Sequence, residues 1–172
     1  MFMHWKHRPM VWGVTGLLLG AVLAGFCPHA PLHATATDRY DTFAISTGFV
    51  DDSVEAIYFL DFLTGDLKAA VLSRQLPPRF SAFFERNILN DLGIGPSNNP
   101  RYLIVTGLND LRRGGSRLRP SLGVCYVAEI TTGRVAAYAI PWDLNRHASG
   151  QGQTGEIILL DVRQFRTAAV RP

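Results

Sequence analysis

The chain has 172 residues, 47% of them apolar and 18% charged, with a formal net charge of +3. That length and apolar share suit one domain with a full-sized core plus a short extra segment, and they argue against a multidomain enzyme. Nor does the charge mark a nucleic-acid binder. Two of the 17 basic residues, Lys6 and Arg8, precede an apolar N-terminal run, which leaves 15 against 14 acidic ones, so the folded part is close to neutral.

Residues 1–36 carry the features of an export signal and of a membrane anchor. A basic segment leads into an uncharged run of 18 residues over 10–27, followed by Pro28 and Pro31. The run is longer than a usual signal core and reaches the lower range of a membrane-spanning helix, while Ala34-Thr35-Ala36 offers a small-residue cleavage site. Retention and cleavage both stay open. In either case Lys6 and Arg8 hold the N-terminus inside and place the rest of the chain outside the cytoplasm. Cys27 and Cys125 build neither a disulfide framework nor a zinc motif, and Cys125 reads as a small buried hydrophobe. Only His147 lies beyond the Pro-rich spacer that holds His29 and His33, so no metal site and no cofactor is expected.

After a polar link, residues 43–48 read as a short strand and 54–62 as the next. In that second strand Tyr58, Leu60 and Phe62 fall on one face, and Ile57 and Phe59 on the other. With both faces apolar, it should be covered on both. Thr64-Gly65-Asp66 then reverses the chain, with Gly65 supplying the left-handed conformation and Asp61 accepting from turn amides. A third strand returns over 67–72. Pro77-Pro78 introduces a predicted amphipathic helix over 80–92, whose apolar stripe is Phe80, Phe83, Phe84, Ile88 and Leu92 and whose stop is Gly93.

The first unit then starts again. Tyr102-Leu103-Ile104-Val105-Thr106-Gly107 matches residues 43–48, and Tyr126 to Ala137 matches the hairpin at 58–69, with Glu129 and Gly133 in place of Asp61 and Gly65. The offset grows from 59 residues at the first strand to 68 at the hairpin, so the second copy carries a longer loop. Gly150-Gln151-Gly152-Gln153-Thr154-Gly155 spells a dinucleotide-binding motif, but it lacks the strand before it and the helix after it, and it reads as a loop. A last strand is expected over 156–165.

The repeated unit, 43–72 and 102–142, resembles one blade of a β-propeller. The order Ser46-Thr47-Gly48, Asp51-Asp52, Tyr58-x-Leu60-Asp61-x-x-Thr64-Gly65-x-Leu67 is similar to blades of the WD40 and quinoprotein-like families. It departs from them in lacking the blade tryptophan and in showing three strands per copy, and two blades do not close a propeller, which needs at least about four. As a whole the chain resembles exported or membrane-anchored proteins of planctomycete bacteria, on the segment over 31–38, the 58–72 hairpin, Asn99-Pro100-Arg101-Tyr102 and residues 126–142. That resemblance implies a location and brings no activity or catalytic residue with it.

These readings combine into an α+β domain over 37–172, a mostly antiparallel sheet of two blade-like three-stranded units and a final strand, with one amphipathic helix. Nucleophile motifs are missing, and Asp51, Asp52 and Glu55 lack the spacing of a calcium loop. The expected function is a non-enzymatic structural or interaction module that self-associates, with the membrane as a further partner if residues 1–36 are retained. The alternative is a surface protein that binds anionic polymers through Arg112, Arg113, Arg117 and Arg119 on the inserted loop.

Overall fold

The computed structural model describes residues 17, 37–95, 100–109, 111 and 119–167. The chain divides into two units, Met1–Ala34 and Thr35–Pro172. In the first, Leu17 is helical and exposed, and the rest of the predicted signal or anchor run lies outside the described residues. Among the described residues no helix is long and apolar enough to cross a membrane.

The second unit is built on strands in two sheets. The first sheet has six, in the order β1 (Thr37–Arg39), β2 (Phe43–Asp51), β3 (Val54–Asp61), β4 (Asp66–Leu72), β5 (Phe80–Asn87) and β9 (Gln153–Glu156). The second has four, in the order β10 (Ile158–Gln164), β8 (Arg134–Trp142), β7 (Arg119–Glu129) and β6 (Tyr102–Leu108). Neighbours pair antiparallel, except that β9 runs parallel to β5. Two short helices, α1 (Leu89–Leu92) and α2 (Leu144–Ala148), complete the described elements.

Strand alternation sends one face of each sheet into a shared core. From the first sheet come Ala44, Val50, Ala56, Tyr58, Leu60, Leu67, Val71 and Phe84, and from the second Tyr102, Ile104, Cys125, Val127, Tyr138 and Ile140. Each of the two meanders, β2-β3-β4 and β6-β7-β8, turns on a capped loop. Asp61 Oδ1 accepts from the Leu63 amide at 2.8 Å and Glu129 Oε1 from the Thr131 amide at 2.8 Å. Gly65 and Gly133 both take left-handed conformations, φ 72° and 73°, and each amide donates to the carbonyl of the capping residue four positions back. These carboxylates are turn caps, as the spacing of acid and Thr-Gly predicts.

Three expectations are corrected. The helix predicted over 80–92 is strand β5 followed by the single turn of α1. Phe80 and Phe83 lie on the outer face and Ala82 and Phe84 on the inner one, so apolar residues from both faces, together with a bulge opposite Leu72, imitate helical spacing. Gly93 does close α1, in a left-handed conformation at φ 64°. The single strand expected over 156–165 is two strands in different sheets, because the chain crosses from one sheet to the other at the fully buried Ile157. The loop expected over 150–155 is half strand, since β9 starts at Gln153, whose buried amide group pairs with the Asp143 backbone at 3.1 and 3.0 Å.

The two sheets are pinned along one side, where β2 passes β6 and β7 with almost no side chain between. A Cβ on Gly123 would run into the Phe49 carbonyl oxygen, and one on Gly48 into the Thr106 side chain at 2.8 Å. Thr106 Oγ1 donates to the Thr47 carbonyl and lies 3.3 Å from Ser46 Oγ, so the seam's polar atoms meet each other. Because the obstacle at Gly123 is backbone, it gives way only if a strand moves. Gly123→Ala is expected to destabilise the domain by about 3 kcal/mol, the upper end for overpacking, as read by urea unfolding. A change under about 0.5 kcal/mol, the usual scale of a surface substitution, would show that the strands are not in contact there.

Candidate functional site

The outer face of the first sheet does not follow the rule that an antiparallel sheet turns polar residues to water. Its rows are set by register. Ile45, Phe59, Lys68 and Glu85 lie side by side across β2 to β5, and the next row holds Thr47, Ile57, Ala70, Phe83 and Thr154. Ile57 is 37% exposed, Phe59 38% and Phe83 53%. Phe43 stacks on Phe59 with ring centroids 5.2 Å apart, and Phe80 flanks Phe83 at 6.4 Å, which extends the apolar area in both directions. The alternation of Ile57 and Phe83 with Ala70 and Gly155 leaves an open groove of about 500 Å³. β3 was expected to be covered on both faces; here its inner face is covered and its outer face is open.

At one end of the core a charged group ties the sheets together. Arg86 points to the inner side of β5 and holds Asp91 of α1 with two bonds, Nε to Oδ2 at 2.7 Å and Nη2 to Oδ1 at 2.9 Å. Tyr138 of β8 donates to Asp91 Oδ2 at 3.1 Å, and Arg86 Nη1 reaches Glu156 at 2.6 Å. Hydrogen bonding from Arg86, against an opposing cost of burial, holds the Asp91 carboxyl below the usual range. Burial first, then the Asp91 charge, pushes the Tyr138 phenol up. Asp91 thus accepts two bonds from Arg86 and one from Tyr138, and the cluster braces the fold.

Three further titratable groups are held within the structure. Burial works to raise the Glu129 carboxyl, but hydrogen bonds from the Thr132 hydroxyl and amide and from Thr131 bring it net below its ordinary value. His147 is buried in α2 with its ring 4.9 Å from Trp142, and burial, then Arg74, lowers it. Cys125 is fully buried, which raises its thiol and withholds it as a nucleophile. Among the described residues no three His, Cys, Asp or Glu side chains gather as metal ligands would.

The predicted arginine site is not assembled among the described residues. Arg112, Arg113 and Arg117 lie outside them, and Arg119 opens β7 in register with Trp142. The sequence pattern places Phe83 in the packing stripe of a helix and does not single out Ala70, Lys68 or Glu85 as site residues. Their signal was the second apolar face of β3 together with Lys68, the one lysine among residues 37–172. Compared with protein-family models, curated proteins and solved structures, the chain matches none.

The brace has a pH signature. A carboxyl whose folded value is depressed contributes stability that is complete above its unfolded value, about 4, and is lost as pH falls through the folded value. A histidine whose folded value is lowered adds an earlier loss, beginning below its unfolded value of about 6.5. Stability by urea unfolding should therefore decline gently below about pH 6.5 and steeply below about pH 4. Asp91→Asn is expected to cost about 2 kcal/mol at neutral pH and to flatten the steeper limb. An unchanged acid limb in that variant would remove Asp91 as its source.

Proposed function

We propose that the domain over 37–172 is a non-enzymatic interaction module that associates with its own copies outside the cytoplasm, secreted or tethered by residues 1–36. The reading is carried by β3, whose outer residues Ile57 and Phe59 stand beside Phe83 on an open, groove-bearing sheet face. Contiguous apolar surface of this kind, rimmed by charge, favours a protein partner. The engaged state of Asp91, Glu129 and His147 and the burial of Cys125 support the absence of an enzyme site among the described residues. Lys6 and Arg8 before the apolar run support an extracytoplasmic placement. The closely similar caps of the two turns support the reading of the meanders as copies of one blade-like unit, and association between chains is then a route to a larger β assembly. The near-neutral folded part speaks against a nucleic-acid partner.

Sedimentation equilibrium of the full chain in a density-matched non-ionic detergent tests this. The expected result is a mass of two or more chains at micromolar concentration. A monomer at every accessible concentration would contradict self-association.

A further inference from the structure

The outer face of the first sheet is self-complementary about one axis, and we infer that two copies pack it face to face across a twofold axis running along the strands between β4 and β5. This rests on the self-association proposed above and specifies its surface. In the single chain Lys68 and Glu85 are directly opposed across β4 and β5, yet neither has an ion pair among the described residues. The next row on the same face holds Ala70 opposite Phe83. A twofold axis along the strands exchanges β4 with β5 while keeping each row at its own height. Lys68 then meets Glu85 of the second copy, and Glu85 meets its Lys68.

Size follows the same exchange as charge. Phe83 of one copy comes to lie over Ala70 of the other, within the groove between Ile57 and Phe83. One strand further out, Ile57, paired with Ala70 in its own sheet, comes over Thr154 and Gly155 beside Phe83. In this row large residues thus meet small ones, while in the charged row Phe59 comes over Glu156 of the other copy, and the strand spacing of about 4.8 Å and the sheet separation of about 10 Å are those of ordinary aligned packing. Two symmetry-related charge pairs at the centre fix the register, since like charges brought face to face are strongly disfavoured. Stacking through the face also leaves the backbone hydrogen bonding of β4 and β5 intact, because each is already paired on both edges.

The test uses charge reversal in the full chain, read by sedimentation equilibrium in density-matched detergent. Lys68→Glu alone places Glu on Glu, and Glu85→Lys alone places Lys on Lys, so each is expected to raise the dimer dissociation constant at least about tenfold. Mixing the two variants sets the new carboxylate at position 68 of one chain against the new ammonium at position 85 of the other. The unchanged Glu85 of the first chain then meets the unchanged Lys68 of the second. The mixture should therefore form a heterodimer with affinity near that of the unchanged chain, a rescue that repair within one chain does not produce. Phe83→Ser, which leaves the charges alone, should weaken association independently. If single reversals leave a dimer intact, or if they abolish it and mixing does not restore it, this twofold surface is overturned while self-association stands. If the unchanged chain is itself monomeric, the underlying reading fails.

Discussion

The arrangement of the domain depends on the seam where β2 crosses β6 and β7. Gly48 and Gly123 let backbones and a threonine meet where a side chain would hold them apart, and Thr106 satisfies the Thr47 carbonyl there. Once that edge is closed, which face of each sheet points inward is settled. Tyr58, Leu60 and Leu67 must fill the space opposite Tyr102, Val127 and Tyr138. The far end is closed differently. There Arg86, Asp91 and Tyr138 bring one group from each sheet and one from α1 into a bonded cluster, while Ile88 and Leu92 bury beneath it. A close-packed seam at one edge and a charged brace at the other end leave little freedom for the sheets to slide.

Fixing the inner faces also commits the outer ones. Period-two alternation allows β3 one covered face within a single chain, yet its sequence is apolar on both. The surplus appears as Ile57 and Phe59 beside Phe83, with Lys68 and Glu85 lacking an ion pair among the described residues. A face built only to meet water has no need for that composition. Four of the described groups have structural partners: Glu129 and Asp61 cap turns, Asp91 holds Arg86, and His147 packs on Trp142.

Much of the fold was legible because its signals are local. The turns at Gly65 and Gly133 follow from a carboxylate and a Thr-Gly pair within five residues, and the strands on either side follow from their alternation. The errors arose where structure depends on distant partners. β5 read as a helix because apolar residues from two faces, plus a bulge at Leu72, merge into one spurious stripe. The switch of sheets at Ile157 depends on both sheets existing, and nothing within a few residues of it announces the change. The outer face was half legible: its apolar character was in the sequence of β3, but the register that sets Lys68 beside Glu85 and Ala70 beside Phe83 exists only once β4 and β5 pair. The arginine cluster that sequence favoured as a binding feature lies, but for Arg119, outside the described residues.

The proposed contact between the open face of the first sheet and its counterpart on a second copy can be read directly. The measurement replaces Phe83 with a photoreactive phenylalanine in the full chain, mixes isotopically light and heavy protein, irradiates, and locates the crosslinks by mass spectrometry. Face-to-face packing predicts light-to-heavy crosslinks from position 83 into β4, centred on Ala70. Crosslinks confined to the same chain, or intermolecular ones that map to the second sheet, would contradict it.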